Sequence, residues 1–177
     1  MSEPTPSRGP RVVVVRHGPA EVRDPRRWAD DTLRPLSRKG IAQTRRIAAG
    51  LARFVGPVGC LASSPAARAR RTAEILHEAL EHAPKPTYWA ELDVGTLAGG
   101  LFPRLRTVTR PGGTVVIVGH EPSLGEFLGL ALTGDGVPFV RLTKGGAACV
   151  EFPRTVRPGA ARLRWLLTRK LLASATP

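Results

Sequence analysis

The tripeptide Arg16-His17-Gly18 directly follows the β-branched run Val12 to Val15, so an imidazole beside a guanidinium stands at the carboxyl end of a strand. Gly18 permits a sharp turn there and lets the backbone approach the histidine and a bound phosphate, which makes it a candidate substrate-binding residue. Two other strand ends carry related groups. Arg68 lies shortly after the run Val58 to Ser63, and His120 closes the run Thr114 to Gly119. Transfer of a phosphoryl group needs a nucleophile, cations or N–H donors on the three equatorial oxygens, and an acid for the leaving group. A neutral imidazole attacks phosphorus through one ring nitrogen while the other donates to a carbonyl, and neighbouring guanidiniums favour that neutral form. His17 meets this requirement. Arginine grips phosphate through a planar fork of paired donors, which makes Arg16, Arg68 and Arg34 the candidate oxygen contacts. His120 precedes a helix whose N-terminus, around Pro122 and Ser123, adds partial positive charge toward the same anion.

These groups are distant in sequence, and only a particular arrangement of elements brings them together. After the first strand, residues 19–36 are polar and broken by Pro19, Pro25 and Pro35, which predicts a long loop over a site. Ser37 is a candidate N-cap for a helix carrying Ile41, Ile47, Ala48, Leu51 and Phe54, stopped by Gly56-Pro57. Val58 to Ser63 reads as a short buried strand, and Pro65 opens a second helix with Ala69, Ala73, Leu76 and Leu80 on one face, ending before Pro84. Thr87 to Ala90 is a candidate third strand, Leu101 to Thr109 a short helix, and Thr114 to Val118 a fully buried strand. A helix over Leu124 to Leu132 and two closing strands, Ala147 to Phe152 and Ala161 to Leu167, complete the pattern. Strands alternating with helices predict an α/β fold: a three-layer sandwich with a mostly parallel central sheet and helices on both faces. Ligands in such sheets bind outside the carboxyl ends of the strands, so His17, Arg68 and His120 are expected to share one crevice.

Bulk properties narrow the classes. The 177 residues match one domain, with 42% hydrophobic residues available for an aliphatic core. Residues 1–10 are Pro/Ser-rich and polar and are expected to form a disordered tail, residues 11–172 the domain, and residues 173–177 a C-terminal tail. No apolar run of about 18 residues occurs, so no membrane association is expected and the chain reads as cytoplasmic. A net charge of +13 means that the surface attracts anions. The basic residues, mostly arginine, are spread along the chain without interleaved aromatics, so no nucleic-acid partner is expected. Cys60 and Cys149 sit in aliphatic runs and read as small buried hydrophobes. His77 and His82, among Glu74, Glu78 and Glu81, read as exposed helix polars, and Arg70 and Arg71 as solvated or steering charges. No metal ligand set emerges and no cofactor is expected.

Four segments in order, Val14-Val15-Arg16-His17-Gly18, Leu33-Arg34-Pro35-Leu36-Ser37-Arg38-Lys39-Gly40, Ser63-Ser64-Pro65-Ala66-Ala67-Arg68-Ala69-Arg70-Arg71-Thr72-Ala73 and Val118-Gly119-His120-Glu121-Pro122-Ser123-Leu124, span most of the chain. Together they resemble the histidine phosphatase superfamily and, within it, the small SixA-type phosphohistidine phosphatases. The resemblance implies a phosphoglycerate mutase-like fold, a covalent phosphohistidine on His17, oxygens held by Arg16, Arg68 and His120, and hydrolysis by water without a metal. It further implies Arg34 as a phosphate contact and Glu91 as the general acid, with Glu121 and Glu21 as rivals, and Pro19 departs from the acidic residue usual after Arg-His-Gly. A short chain leaves little length for a lid over the site, which favours phosphohistidine in a protein as substrate over small phosphomonoesters. The reading of a different class is a non-catalytic basic module that binds acidic proteins or nucleic acid.

Overall fold

The computed structural model describes residues 9–175. A six-stranded sheet forms its middle layer, in the order β3-β2-β4-β1-β5-β6. In chain order the elements are β1 (Arg11–Arg16), α1 (Arg38–Leu51), β2 (Val58–Ser63), α2 (Ala67–Ala79), β3 (Thr87–Tyr88), α3 (Leu101–Val108), β4 (Thr114–Gly119), α4 (Ser123–Thr133), β5 (Ala147–Glu151), β6 (Arg162–Leu167) and α5 (Arg169–Ser174). The four strands from β1 to β4 run parallel, whereas β5 and β6 are antiparallel additions on the β1 side.

The valine runs explain the three layers. Side chains alternate between sheet faces, so β1 sends Val12 and Val14 to one core with Phe102 and Leu105 of α3 and Phe127 and Leu128 of α4. Val13 and Val15 go to the other, with Ile47 and Leu51 of α1, Ala69, Ala73 and Leu76 of α2, and Leu172 of α5. A strand buried on both faces needs no polar alternation, which is why β1 and β4 read as continuous apolar runs. Ser37 caps α1 as expected, its side chain accepting from the Gly40 N–H.

Several boundaries differ. The third strand is two residues long, because Ala90 already starts a 3-10 turn through Leu92 and Trp89 turns into the core. Helix α1 stops at Leu51, so Phe54 lies beyond the helical stripe and is largely exposed against Trp165. The first eight residues of the expected N-terminal tail lie outside the described residues, but Gly9 and Pro10 are buried, with the Phe152 N–H donating to the Pro10 carbonyl. At the other end, Ala173 and Ser174 belong to α5 rather than to a tail, with Thr168 as N-cap. His82 lies beyond α2 in left-handed backbone, and half-buried His77 is tied through Nδ1 to the Ala83 carbonyl. Cys60 and Cys149 are both outside disulfides, and burial raises both thiols. No helix among the described residues is long and apolar enough to cross a membrane.

Candidate active site

Register assembles the site. Strands β1 and β4 are neighbours, with Arg16 opposite Gly119, so the residues that follow, His17 and His120, leave the sheet side by side. Their ring centroids are 5.0 Å apart. Strand β2 flanks β4 on the other side with Ser63 opposite Val118, which brings Ser64 against His120. Helix α2 then returns Arg68 over the same edge. Arg16, His17, Arg34, Arg68 and His120 line one cleft of about 580 Å³.

The backbone holds His17 tightly. Its N–H donates to the Gly119 carbonyl, while the Gly145 N–H reaches the carbonyls of Arg16 and His17. Gly18 donates its N–H to Thr72 Oγ1, one helical turn beyond Arg68 on α2, so a single helix positions both the guanidinium and the loop that carries His17. A Cβ on Gly18 would collide with Thr44, and this close approach requires glycine. His17 Nδ1 lies 2.7 Å from the Gly18 carbonyl and must donate to it. In the neutral ring the lone pair therefore sits on Nε2.

Burial first, then His120, Arg68 and Arg16, push the His17 pKa down to about 3. Burial, Arg68 and Arg16 likewise lower His120 to about 4, against an opposing pull from Asp93 and Asp31. Both rings are neutral at physiological pH. Because each binds fewer protons folded than unfolded, stability falls as pH drops from the ordinary value of 6.5 toward these lowered values. Each missing proton contributes a slope of about 1.4 kcal/mol per pH unit. The melting temperature is therefore expected to decline from pH 7 to pH 4.5, and less steeply in His120→Gln. An identical decline in that variant would contradict the assignment.

His120 ends a polar chain. Ser64 Oγ donates to Asp93 Oδ1 at 3.2 Å and accepts the Ala66 N–H, and His120 Nε2 lies 2.9 Å from the same oxygen. With the hydroxyl proton committed to Asp93, Nε2–H donates to Ser64. Nδ1 of His120 is buried without a partner, as are Nε of Arg16 and Nε of Arg68. Buried polar nitrogens without partners are uncommon, and the three residues that carry these all line the cleft.

Arg34 is placed in the cleft wall but is largely committed. Its Nε and Nη2 donate to the two Asp31 carboxylate oxygens at 2.8 and 3.2 Å, and Nη1 donates to the Glu21 carbonyl. Asp31 also receives Arg68, at its carbonyl from Nη1 (2.6 Å) and at Oδ2 from Nη2 (3.2 Å). These arginines hold the Asp31 carboxyl below its ordinary range. Glu91 does not line the cleft; the segment after β3 reaches the site with Val94 at the wall and Asp93 on Ser64. The acidic residues in the wall are Glu21, Asp31 and Glu121, beside the additional cations Arg23 and Lys144. Asp31, Asp93, Ser64 and Lys144 carried no periodic signal. The two available cues are the placement of Ser64 at a strand-to-helix junction and that of Lys144 before the Gly145-Gly146 pair. Among the described residues, no group of three or more His, Cys, Asp or Glu side chains is arranged to hold a metal ion.

An anion-attracting cleft at the carboxyl edge of a mostly parallel sheet, with a buried neutral histidine between arginines, defines an α/β enzyme of phosphoryl chemistry. The model of the histidine phosphatase superfamily (branch 1) matches residues 12–107, from β1 into α3. The chain belongs to that superfamily. An uncharacterised protein of Picosynechococcus is 33% identical over 94% of this chain and 96% of its own length. Among solved structures, the protein histidine phosphatase SixA complexed with tungstate superposes with a TM-score of 0.78 at 24% identity, covering 92% of this chain and 99% of that one. Phosphoglycerate mutase from Plasmodium falciparum gives 0.62 at 16% identity, covering 89% and 90%. Phosphoserine phosphatase from Entamoeba histolytica, in complex with 3-phosphoglyceric acid, gives 0.61 at 15%, covering 92% and 99%. The phosphoglycerate mutase-like fold expected from the sequence is thus the fold observed.

Proposed function

We propose that the protein is a phosphatase that forms a covalent phosphohistidine on His17 and acts on phosphohistidine carried by a protein. The observation that carries this reading is the neutral His17 ring, its Nδ1–H committed to the Gly18 carbonyl, beside buried nitrogens of Arg16, Arg68 and His120 that lack partners. Nε2 of His17 attacks phosphorus, the bond from phosphorus to the leaving group breaks, and Arg16 and Arg68 hold the equatorial oxygens. The negative charge of a bound phosphoryl group raises the His120 pKa, so that both ring nitrogens donate, Nε2 to Ser64 and Nδ1 to a phosphoryl oxygen. Water then attacks the phosphohistidine and gives a proton to the carboxylate left by the proton donor, the phosphorus–nitrogen bond breaks, and inorganic phosphate leaves with His17 neutral again. The guanidiniums supply the positive charge for both steps, and no metal is assigned a role.

The leaving group needs a proton. Asp31 is paired with three arginines, Arg23, Arg34 and Arg68, and Glu121 accepts two amide N–H groups. Glu21, on the loop after His17, is the remaining acid in the cleft wall and is assigned as the donor in place of Glu91. An imidazole leaving group departs more readily than an alkoxide and relaxes this demand. The short connection from β3 to β4 holds only 3-10 turns and the eight-residue α3, with no separate cap domain among the described residues. That openness supports a protein-borne substrate.

Phosphate release from a histidine-phosphorylated phosphotransfer protein, compared with release from an aryl phosphate and from phosphoserine, tests the proposal. The expected kcat/KM for the phosphohistidine protein exceeds the others by about 100-fold or more. Faster turnover of the small esters would overturn the substrate assignment and leave the phosphatase reading intact. Absence of His17-dependent phosphate release from every substrate would overturn both.

A further inference from the structure

Arg16 has to present its guanidinium to phosphate from a fixed place, and the group that fixes it is the carbonyl of Leu142, which accepts from Nη1 at 2.7 Å. Leu142 belongs to the stretch between α4 and β5, where residues 137–143 have neither helical nor strand structure. Such a segment needs its own anchors if its carbonyl is to aim a cation. One is the Leu142 side chain, buried in the core beside α3 and α4. The second is polar: the Leu142 N–H donates to Glu121 Oε1 at 2.7 Å. The other oxygen of Glu121 accepts the N–H of Gly125, in the first turn of α4, at 3.3 Å.

Gly125 makes this arrangement possible. A Cβ there would lie 2.6 Å from the Val140 carbonyl oxygen and 2.9 Å from Glu121 Oε2, so a side chain would push both the segment and the carboxylate away. Glu121 also lines the cleft with Arg16 and extends into a second groove shared with Arg16, Pro138 and Arg141. Burial raises its pKa, while the two amides, Arg16 and Arg141 oppose that shift.

We infer that Glu121 is a positioning residue: by holding Leu142 through its amide, the carboxylate sets the direction of the Arg16 guanidinium and thereby the affinity of the cleft for a phosphoryl group. Resting on the phosphatase reading above, this inference separates Glu121 from the role of proton donor. The two oxygens of Glu121 are both engaged by amide N–H groups, which gives the side chain a holding role. In this role it anchors the Leu142 segment and does not serve as the acid for a leaving group.

The test compares Glu121→Ala and Glu121→Gln in aryl phosphate hydrolysis and in calorimetric binding of tungstate, a phosphate mimic whose binding does not require turnover. Loss of the clasp in Glu121→Ala is expected to weaken tungstate about tenfold and to raise KM by a similar factor, with a smaller change in kcat. Glu121→Gln keeps an amide oxygen for the Leu142 N–H and is expected to stay within about threefold of the wild type. In an Arg16→Ala background, Glu121→Ala should cost no further tungstate affinity, because its effect travels through Arg16. A purely structural defect would instead weaken binding equally in both backgrounds and would overturn the inference. So would a loss confined to kcat, growing with the pKa of the leaving group and shared by the Gln variant, which would mark Glu121 as the acid. Tungstate binding with these dependences but no His17-dependent hydrolysis would sink the phosphatase reading and leave the positioning role standing.

Discussion

Replacing His17 with alanine is expected to lower kcat/KM by at least about 10⁴-fold, the largest effect of any single substitution in this protein. The imidazole is 5% exposed, its Nδ1 is tied to the Gly18 carbonyl, and its pKa of about 3 keeps Nε2 unprotonated and nucleophilic across the whole physiological range. No neighbouring group can substitute. His120 lies alongside, but its Nε2 is directed to Ser64, and in the proposed complex its Nδ1 is protonated and donates to a phosphoryl oxygen. The variant should remain folded, since the surrounding backbone is held through the His17 N–H and carbonyl, which alanine retains. Steady-state hydrolysis with a thermal melt is the measurement. Retention of more than a few per cent of the activity by a folded variant would remove His17 from the nucleophile's role.

The second large effect is at Arg68. Arg68→Ala is expected to reduce kcat/KM by about 10²–10³-fold, corresponding to about 3–4 kcal/mol of transition-state stabilisation. Three consequences act together. The cleft loses a buried donor fork, Asp31 loses one of its two close arginine partners, and a positive neighbour that depresses the pKa of both histidines disappears. Arg68→Lys returns charge without the fork, so it should recover only part of the loss. The acid limb of the pH–rate profile should also move upward in Arg68→Ala, because His17 and His120 become easier to protonate. An acid limb that stays in place would show that Arg68 does not set the ionisation of these rings.

The parts of the molecule legible from sequence share one property: their cause is local. Val12 to Val15 and Thr114 to Gly119 are continuous apolar runs, and such runs form strands covered on both faces. The general rule for the carboxyl edges of parallel sheets is then enough to gather His17, Arg68 and His120. The edge strand at Thr87 was overextended because a short edge element has few partners and yields to the turn that follows. Helix α5 is silent in sequence because its six residues carry too short a pattern, and its main apolar contact, Leu172, is defined by packing against α1 and not by period.

Within the site, the placement of a residue at a strand end is legible in sequence, and a placement that depends on a distant partner is not. Asp31 matters because Arg34 and Arg68 converge on it, and residue 68 lies on another element. Glu91 has the residue type and a plausible place after β3, yet the turn over Ala90–Leu92 brings Asp93 and Val94 to the cleft instead. The contact between Glu121 and Leu142 spans 21 residues and involves a backbone amide, a group common to nearly every residue and therefore silent in sequence.

The most direct test of the central claim is to trap the intermediate. Wild-type enzyme mixed with a substrate bearing labelled phosphate, quenched within milliseconds under alkaline conditions that preserve phosphohistidine, and digested for peptide mapping should yield label on His17. His17→Ala should yield none. Label on another residue, or rapid hydrolysis by the wild type with no phosphoenzyme at any quench time, would contradict the account.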